Sequence, residues 1–328
     1  MKKLMTICLV AVLFGMGYAR AGTWTNLDYP GASETDAFGI SGNNIVGYYY
    51  DSSGKDHGFL YNGTSWTTLD YSGAFGTGVF GISGNNIVGS YWDSSDNTHG
   101  FLYNGTSWTT LDYPGSSGTD AFRIRGNSVV GEYWGSSGNV HGFLYNGTSW
   151  TTLDYPEASF TEAFDISGSS VVGFYEDSSD NAHGFLYNGT SWATLDYPGA
   201  VGTIAFGISG SNVVGEYWGS SGMHGFLYNG TSWTTLDYPG ARSTEAFGIS
   251  GNNLVGAYLD DSGTHGFLYT IPEPATLLLL GLGAMVLRKV PDSRQFVSYC
   301  IPSTVRLFRR CSRQVCSPQA SSGQIRGE

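Results

Sequence analysis

The sequence predicts an all-β fold, a six-bladed β-propeller of four-stranded antiparallel blades, from three observations. First, Trp24, Trp66, Trp108, Trp150, Trp192 and Trp233 recur at intervals of 42, 42, 42, 42 and 41 residues. Second, the segment HGFLY recurs six times, starting at His57, His99, His141, His183, His224 and His265. A fixed period of about 40–45 residues with four strands per unit is the sequence mark of a propeller. Third, the array is split at its ends. A lone strand-like segment, TWTNLDYP at 23–30, precedes the first unit, and the last unit stops at HGFLY without it. Pairing 23–30 beside the last HGFLY completes a sixth blade and closes the ring, which removes exposed sheet edges.

Within a unit the strands follow from local chemistry. AFGIS and NIVGYY flank Gly42-Asn43, and HGFLY and the strand at Trp66 flank Asn62-Gly63. Asn-Gly is a strong two-residue hairpin signal because both positions tolerate φ > 0. The runs are short and rich in β-branched and aromatic residues, and no helical period appears. Each unit offers large apolar groups such as Leu27, Phe38, Ile40, Val46, Phe59 and Leu60. Burying each is worth roughly 1.5–3 kcal/mol, but one small sheet cannot cover both its faces, so the units must stack.

The propeller spans 22–270, and other segments flank it. Residues 1–21 carry Lys2 and Lys3, an apolar run, then Ala19-Arg20-Ala21. A charged start, a short apolar core and a small-x-small site read as a secretory signal peptide, with the mature start near Gly22. Between 22 and 271 there are 24 acidic residues against four basic ones (Lys55, Arg123, Arg125, Arg242), a net charge of −20. Such a surface repels phosphate backbones, so nucleic acid is not an expected partner. Cys8 lies in the signal segment and Cys300, Cys311 and Cys316 lie beyond the repeats. Neither disulfides nor thiolate metal sites are therefore expected in the propeller.

Two resemblances follow from these residues. HGFLYNGTSWTTLDYPG followed by AFGISGNNIVGYY resembles the HAF-type extracellular repeat of bacterial secreted proteins, with Gly58 and its equivalents where that motif has Ala. The resemblance implies export and a propeller, but no particular chemistry. Ile271, Pro272, Glu273, Pro274, Ala275 and Thr276, an apolar stretch at 277–287, then Arg288 and Lys289, resemble a PEP-CTERM sorting signal. That family implies a Gram-negative, exopolysaccharide-producing bacterium and processing by an exosortase-like enzyme. A helix over 275–287 would be about 20 Å long, short for a ~30 Å bilayer core. Arg288 and Lys289 favour the cytoplasmic side, so transient membrane anchoring would leave the propeller outside. The expected location is the cell surface, outer membrane or extracellular matrix. Residues 290–328 hold six arginines and three cysteines without periodicity. They read either as a disordered basic tail or as the product of a shifted reading frame.

Repeated residues are expected to be structural. The six histidines share one column, and equivalent positions on packed sheets lie on the order of 10 Å apart, too far for shared ligation at ~2.1 Å. They read as hydrogen-bonding residues, and Asp28, Asp70, Asp112, Asp154, Asp196 and Asp237 as turn or capping groups. The five NGT triplets from Asn62, Asn104, Asn146, Asn188 and Asn229 match a glycosylation sequon, but hairpin turns explain them. The GTSW segments resemble the end of the sialidase Asp box, yet Tyr61 stands where that box has its aspartate. The acidic loops at 51–56, 93–98 and 177–182 could hold calcium weakly, but Gly135 and Gly219 break the pattern. Solvated turns are preferred, and no cofactor is expected.

Departures from sixfold repetition are the candidate ligand-binding residues. After the inner-strand Phe come Gly39, Gly81, Arg123, Asp165, Gly207 and Gly248. Arg123, Arg125 and Asp165 should therefore meet near the channel, with an Arg123–Asp165 contact. Trp92, Trp134 and Trp218 precede the loops and are suited to stacking on sugar rings. The expectation is a non-catalytic surface or matrix protein, with exopolysaccharide as its partner. The alternative is a propeller hydrolase or lyase, which needs an asymmetric acid–base cluster at the channel mouth.

Overall fold

A computed structural model describes residues 22–272. The signal segment 1–21, Glu273, Pro274, Arg288, Lys289 and the tail at 290–328 lie outside the described residues; Pro272 is within them. The first strands are β1 (Thr23–Asn26), β2 (Glu34–Ser41), β3 (Asn44–Tyr50), β4 (Asp56–Tyr61) and β5 (Trp66–Leu69). The β2-to-β5 pattern repeats along the chain to give six four-stranded sheets, and no helix occurs among the described residues. This is a six-bladed β-propeller. Blades one to five are continuous (34–69, 76–110, 118–153, 160–194 and 202–236).

Blade six is closed as the split ends require. Its three C-terminal strands, 243–270, are joined by β1, with Thr23 opposite Thr270, Trp24 opposite Tyr269, Thr25 opposite Leu268 and Asn26 opposite Phe267. Leu27 N–H then donates to Gly266 O at 2.8 Å. Trp24 packs on Phe267, Tyr269 and Tyr238, with ring centroids 5.0, 4.4 and 5.3 Å away.

Between blades the apolar residues interlock. Val46 of blade one lies with Leu69, Val79, Ile82, Ile87 and Phe101, and equivalent clusters recur around the ring. Phe59, Phe101, Phe143, Phe185, Phe226 and Phe267 are fully buried. Each blade thus uses its neighbour to cover the face it cannot cover alone.

The turn at Gly42 is the expected hairpin, with Gly42 at φ 62°. The Asn62-Gly63 turn differs from expectation. Asn62 does not take φ > 0; instead its Oδ1 accepts from Thr64 N–H (3.0 Å), Thr64 Oγ1 (2.9 Å) and Ser65 N–H (2.9 Å). The connection is therefore a four-residue loop built on an Asx turn, which a short polar side chain favours over a two-residue reversal.

Every inner strand carries a bulge that its neighbour's register reveals. In β2 the pairing skips between Ala37 and Gly39, leaving Phe38 unpaired, and the same skip recurs in all six blades. A bulge re-aims its residue. Here Phe38, Phe80, Phe122, Phe164, Phe206 and Phe247 form a ring around a small axial cavity of about 60 Å³.

Candidate functional site

The site lies on the propeller axis, where the inner strands meet. The residue after each ring Phe faces the next blade so closely that a Cβ on Gly39 would come within 2.7 Å of Phe80 O, and one on Gly248 within 2.4 Å of Phe38 O. Glycine fits there in four blades. Blades three and four instead carry Arg123, which lines the cavity, and Asp165.

Arg123 crosses the axis. Its Nη1 donates to Phe38 O (3.1 Å) and Phe80 O (3.0 Å), and its Nη2 donates to Phe247 O (3.0 Å). Its Nε lies 3.5 Å from Asp165 Oδ1, and Arg125 Nη2 lies 3.5 Å from Asp165 Oδ2. The expected Arg123–Asp165 contact is therefore present. Asp165 also accepts from Ile166 N–H (2.7 Å) and Ile208 N–H (3.0 Å), and Arg125 Nη2 donates to Ile249 O (3.2 Å). These three side chains touch all six blades. Asp165 has no exposed surface and Arg123 is 5% exposed, so both are committed to the protein interior. A solvent-borne ligand can meet only Arg125 of the three.

One turn of the pleat nearer the mouth lies a belt of carboxyls that sequence reasoning did not single out. Its members are Asp36, Asp120, Glu162 and Glu245 on inner strands, with Glu132 and Glu216 on second strands. Asp120 sits directly opposite Glu132, and Asp36 opposite Tyr48. Burial pushes Asp36 up to about 7, with Glu245 adding to the rise. Burial likewise raises Asp120 to about 6, Glu162 to about 7 and Glu216 to about 8. Glu132 stands well above the carboxylate range through burial, then through Glu162 and Asp120 beside it. Glu245 is raised by burial. Ser90 Oγ, Asp120 Oδ1, Glu132 Oε2 and Glu216 Oε2 are buried without a hydrogen-bond partner. Asp36, Asp120, Glu162 and Glu245 share the column two residues before each ring Phe, and that column was the signal available: acidic residues in an otherwise apolar strand.

Two of the expected tryptophans stand directly above this belt. Side chains two residues apart on a strand share a face. Trp134 thus lies on the face of Glu132, and Trp218 on that of Glu216. A Cβ on Gly118 would meet the Trp134 indole at 2.7 Å, and one on Gly202 the Trp218 indole at 2.0 Å. Both rings therefore cover glycines at the starts of inner strands. Trp92 is placed differently: its partner Gly76 is covered by the Asp56 carboxylate. All three indoles are half-buried, and Phe75, bonded through its N–H to Trp92 O at 2.8 Å, is 73% exposed on the same rim.

The repeated histidines are structural connectors. His57 Nδ1 lies 2.8 Å from Asp70 Oδ2, and its ring stacks on Tyr49, which stacks on Tyr29 at 3.7 Å. Thr68 Oγ1 joins both tyrosine hydroxyls. Asp70 and its equivalents are thus histidine partners rather than turn caps. In blade six, Asn26 takes the threonine's place and donates to Tyr258 OH at 3.0 Å. In the acidic loops, Asp93 and Asp177 are held down at about 2 by backbone and side-chain donors of Asn97 and Asn181. Among the described residues, no group of three or more His, Cys, Asp or Glu side chains is arranged to hold a metal ion.

Comparison with known proteins agrees with this architecture. Residues 270–289 match the PEP-CTERM protein-sorting motif. No curated protein matches the chain. Among solved structures, SapL1 lectin in complex with α-methyl fucoside is similar at TM-score 0.50 and 15% identity, covering 74% of this chain and 98% of that one. The six-bladed fucose lectin of Aleuria aurantia is similar at TM-score 0.45 and 13% identity, over 76% of this chain and 99% of that one. Trypanosoma rangeli sialidase gives 0.48 and 9%, over 82% of this chain and 62% of that one. The likeness to SapL1 lectin bears on the fold alone. The chain is thus a six-bladed propeller carrying a C-terminal PEP-CTERM motif, which marks a secreted, surface-sorted protein processed by an exosortase.

Proposed function

We propose that this is a non-catalytic carbohydrate-binding propeller that engages extracellular polysaccharide at its channel mouth. The observation that carries the reading is the pairing of half-buried indoles, Trp134 and Trp218, with carboxyls on the same strand faces. Indole faces stack on the apolar faces of sugar rings, and carboxyls accept from their hydroxyls. Export with a surface-sorting motif supports it, since it brings the protein to where such polymers lie. The likeness of the repeats to HAF-type extracellular units fits the same setting. Binding of the full chain to a glycan array tests it, with Trp134→Ala and Trp218→Ala each expected to weaken binding tenfold or more. Unchanged binding in both variants would sink the reading.

A hydrolase or lyase acting on the same polymer is the second reading, and the raised carboxyls favour it. Burial favours the protonated forms of Glu132 and Glu162 near neutral pH, as a general acid requires. Release of reducing ends or unsaturated ends from a bound polymer, lost in Glu132→Gln and Glu162→Gln, would favour catalysis over binding alone.

A further inference from the structure

We propose that the acidic cluster beneath Trp134 is a site for the ammonium group of an amino sugar, so that the polymer recognised at the mouth carries free amines. This deepens the carbohydrate reading and rests on it.

Hydrogen-bonding capacity goes unmet in this cluster. Ser90 Oγ has no exposed surface and no partner, and neither Asp120 Oδ1 nor Glu132 Oε2 has one. Buried polar atoms without partners are rare, and each calls for an explanation such as a ligand. Here they converge from neighbouring blades. Asp120 faces Glu132 across the blade-three hairpin, Ser90 approaches Asp120 from blade two, and Glu162 approaches Glu132 from blade four. Glu176 adds further negative charge beside Glu162.

What the cluster lacks is a positive charge. Arg123, the cation on the axis, already gives its Nη groups to the carbonyls of Phe38, Phe80 and Phe247. Sugar hydroxyls would fill acceptors but leave unrelieved the repulsion between these carboxyls whenever they ionise. An alkylammonium supplies three donors from one compact centre and offsets that repulsion. Trp134, on the face of Glu132 and over Gly118, places an indole beside the same cluster. An indole face suits both a sugar ring and a nearby cation.

Calorimetry at pH 6.5 on the full chain tests this with three probes: a glucosamine tetramer, its N-acetylated counterpart, and spermine. The glucosamine tetramer should bind at least tenfold more tightly than either other probe. Its binding should release protons from the belt, seen as heats that differ between buffers. Glu132→Gln and Glu162→Gln should each erase most of the difference between the tetramers, while Trp134→Ala weakens both. Equal binding of the two tetramers would overturn the ammonium site and leave the carbohydrate reading standing. Binding of neither tetramer would sink both. Spermine binding as tightly as the glucosamine tetramer would also overturn the inference, because charge without sugar would then suffice.

Discussion

Replacing Arg123 by glycine tests how the ring is held together. Glycine stands at this place in blades one, two, five and six, so the inner strand can adopt it without new backbone geometry. The change removes three hydrogen bonds from a charged donor to carbonyls of blades one, two and six, and a 3.5 Å ion pair to a fully buried Asp165. Breaking one side of a buried pair costs roughly 3–5 kcal/mol, because the partner stays buried and less compensated. For a domain of this size each kcal/mol moves Tm by about 2–4 °C. A fall of roughly 6–20 °C is therefore expected in thermal unfolding followed by circular dichroism. Asp165→Gly alone should also be costly, since it leaves Arg123 and Arg125 facing each other. The double variant, which restores the glycine column, should lose at least ~1 kcal/mol less than the sum of the two singles. Additive losses, or an unchanged Tm for Arg123→Gly, would refute the clamp.

Other outcomes follow from the same geometry. Deleting residues 23–28 removes the closing strand and exposes the edge of blade six; size-exclusion chromatography should show association or aggregation of the shortened protein. Trp24→Ala should cost about 3 kcal/mol through lost packing on Phe267 and Tyr269, read by urea denaturation. Stability should fall as pH rises from about 5 to 8. Carboxyls raised in the fold (Asp36 to about 7, Glu216 to about 8) hold protons that the unfolded chain has lost, so folding is favoured below their unfolded values and less so as pH climbs through the folded ones. His99 and His183 act in the same direction: burial opposes their charge, but Asp112 and Asp196 outweigh it and raise them. Below about pH 4 the trend reverses, as Asp93 and Asp177, held low by their turns, become protonated. A Tm that rises steadily from pH 5 to 8 would contradict this.

The frame was legible because the chain writes it six times. A 42-residue period and a split final unit fix the blade count and the closure, and β1 pairs where those two facts require. Arg123 and Asp165 were legible as a pair because each breaks a glycine column. Their burial was not, since it depends on the bulge that turns Phe38 and its equivalents into the axis, and hydrophobic alternation does not reveal a bulge. The carboxyl belt escaped for a related reason. Its column reads Asp36, Gly78, Asp120, Glu162, Ile204 and Glu245, too varied to register as a motif. Only cross-strand register shows that Asp120 and Glu132 share a face, and only blade packing brings Glu162 to them.

This division has a physical basis. Away from the axis each residue meets only its own blade and one neighbour, so the same side chain works in every repeat, as the His–Asp–Tyr connectors do. On the axis six copies of one position face each other within a single small cavity. Six arginines in the Arg123 column would repel one another and could not share the same three carbonyls. One arginine can span the ring only if the other positions stay small, and its charge then calls for one acid nearby, which Asp165 supplies. Symmetry must therefore break where the blades meet. The acidic belt breaks it again just above, with Ile204 and Gly78 interrupting the carboxyls. Two separate acidic groups result, one around Glu132 beneath Trp134 and one joining Glu216 to Glu245 beside Trp218. A ligand that occupied both would have to span the mouth, so an oligomer should bind more tightly than a monosaccharide.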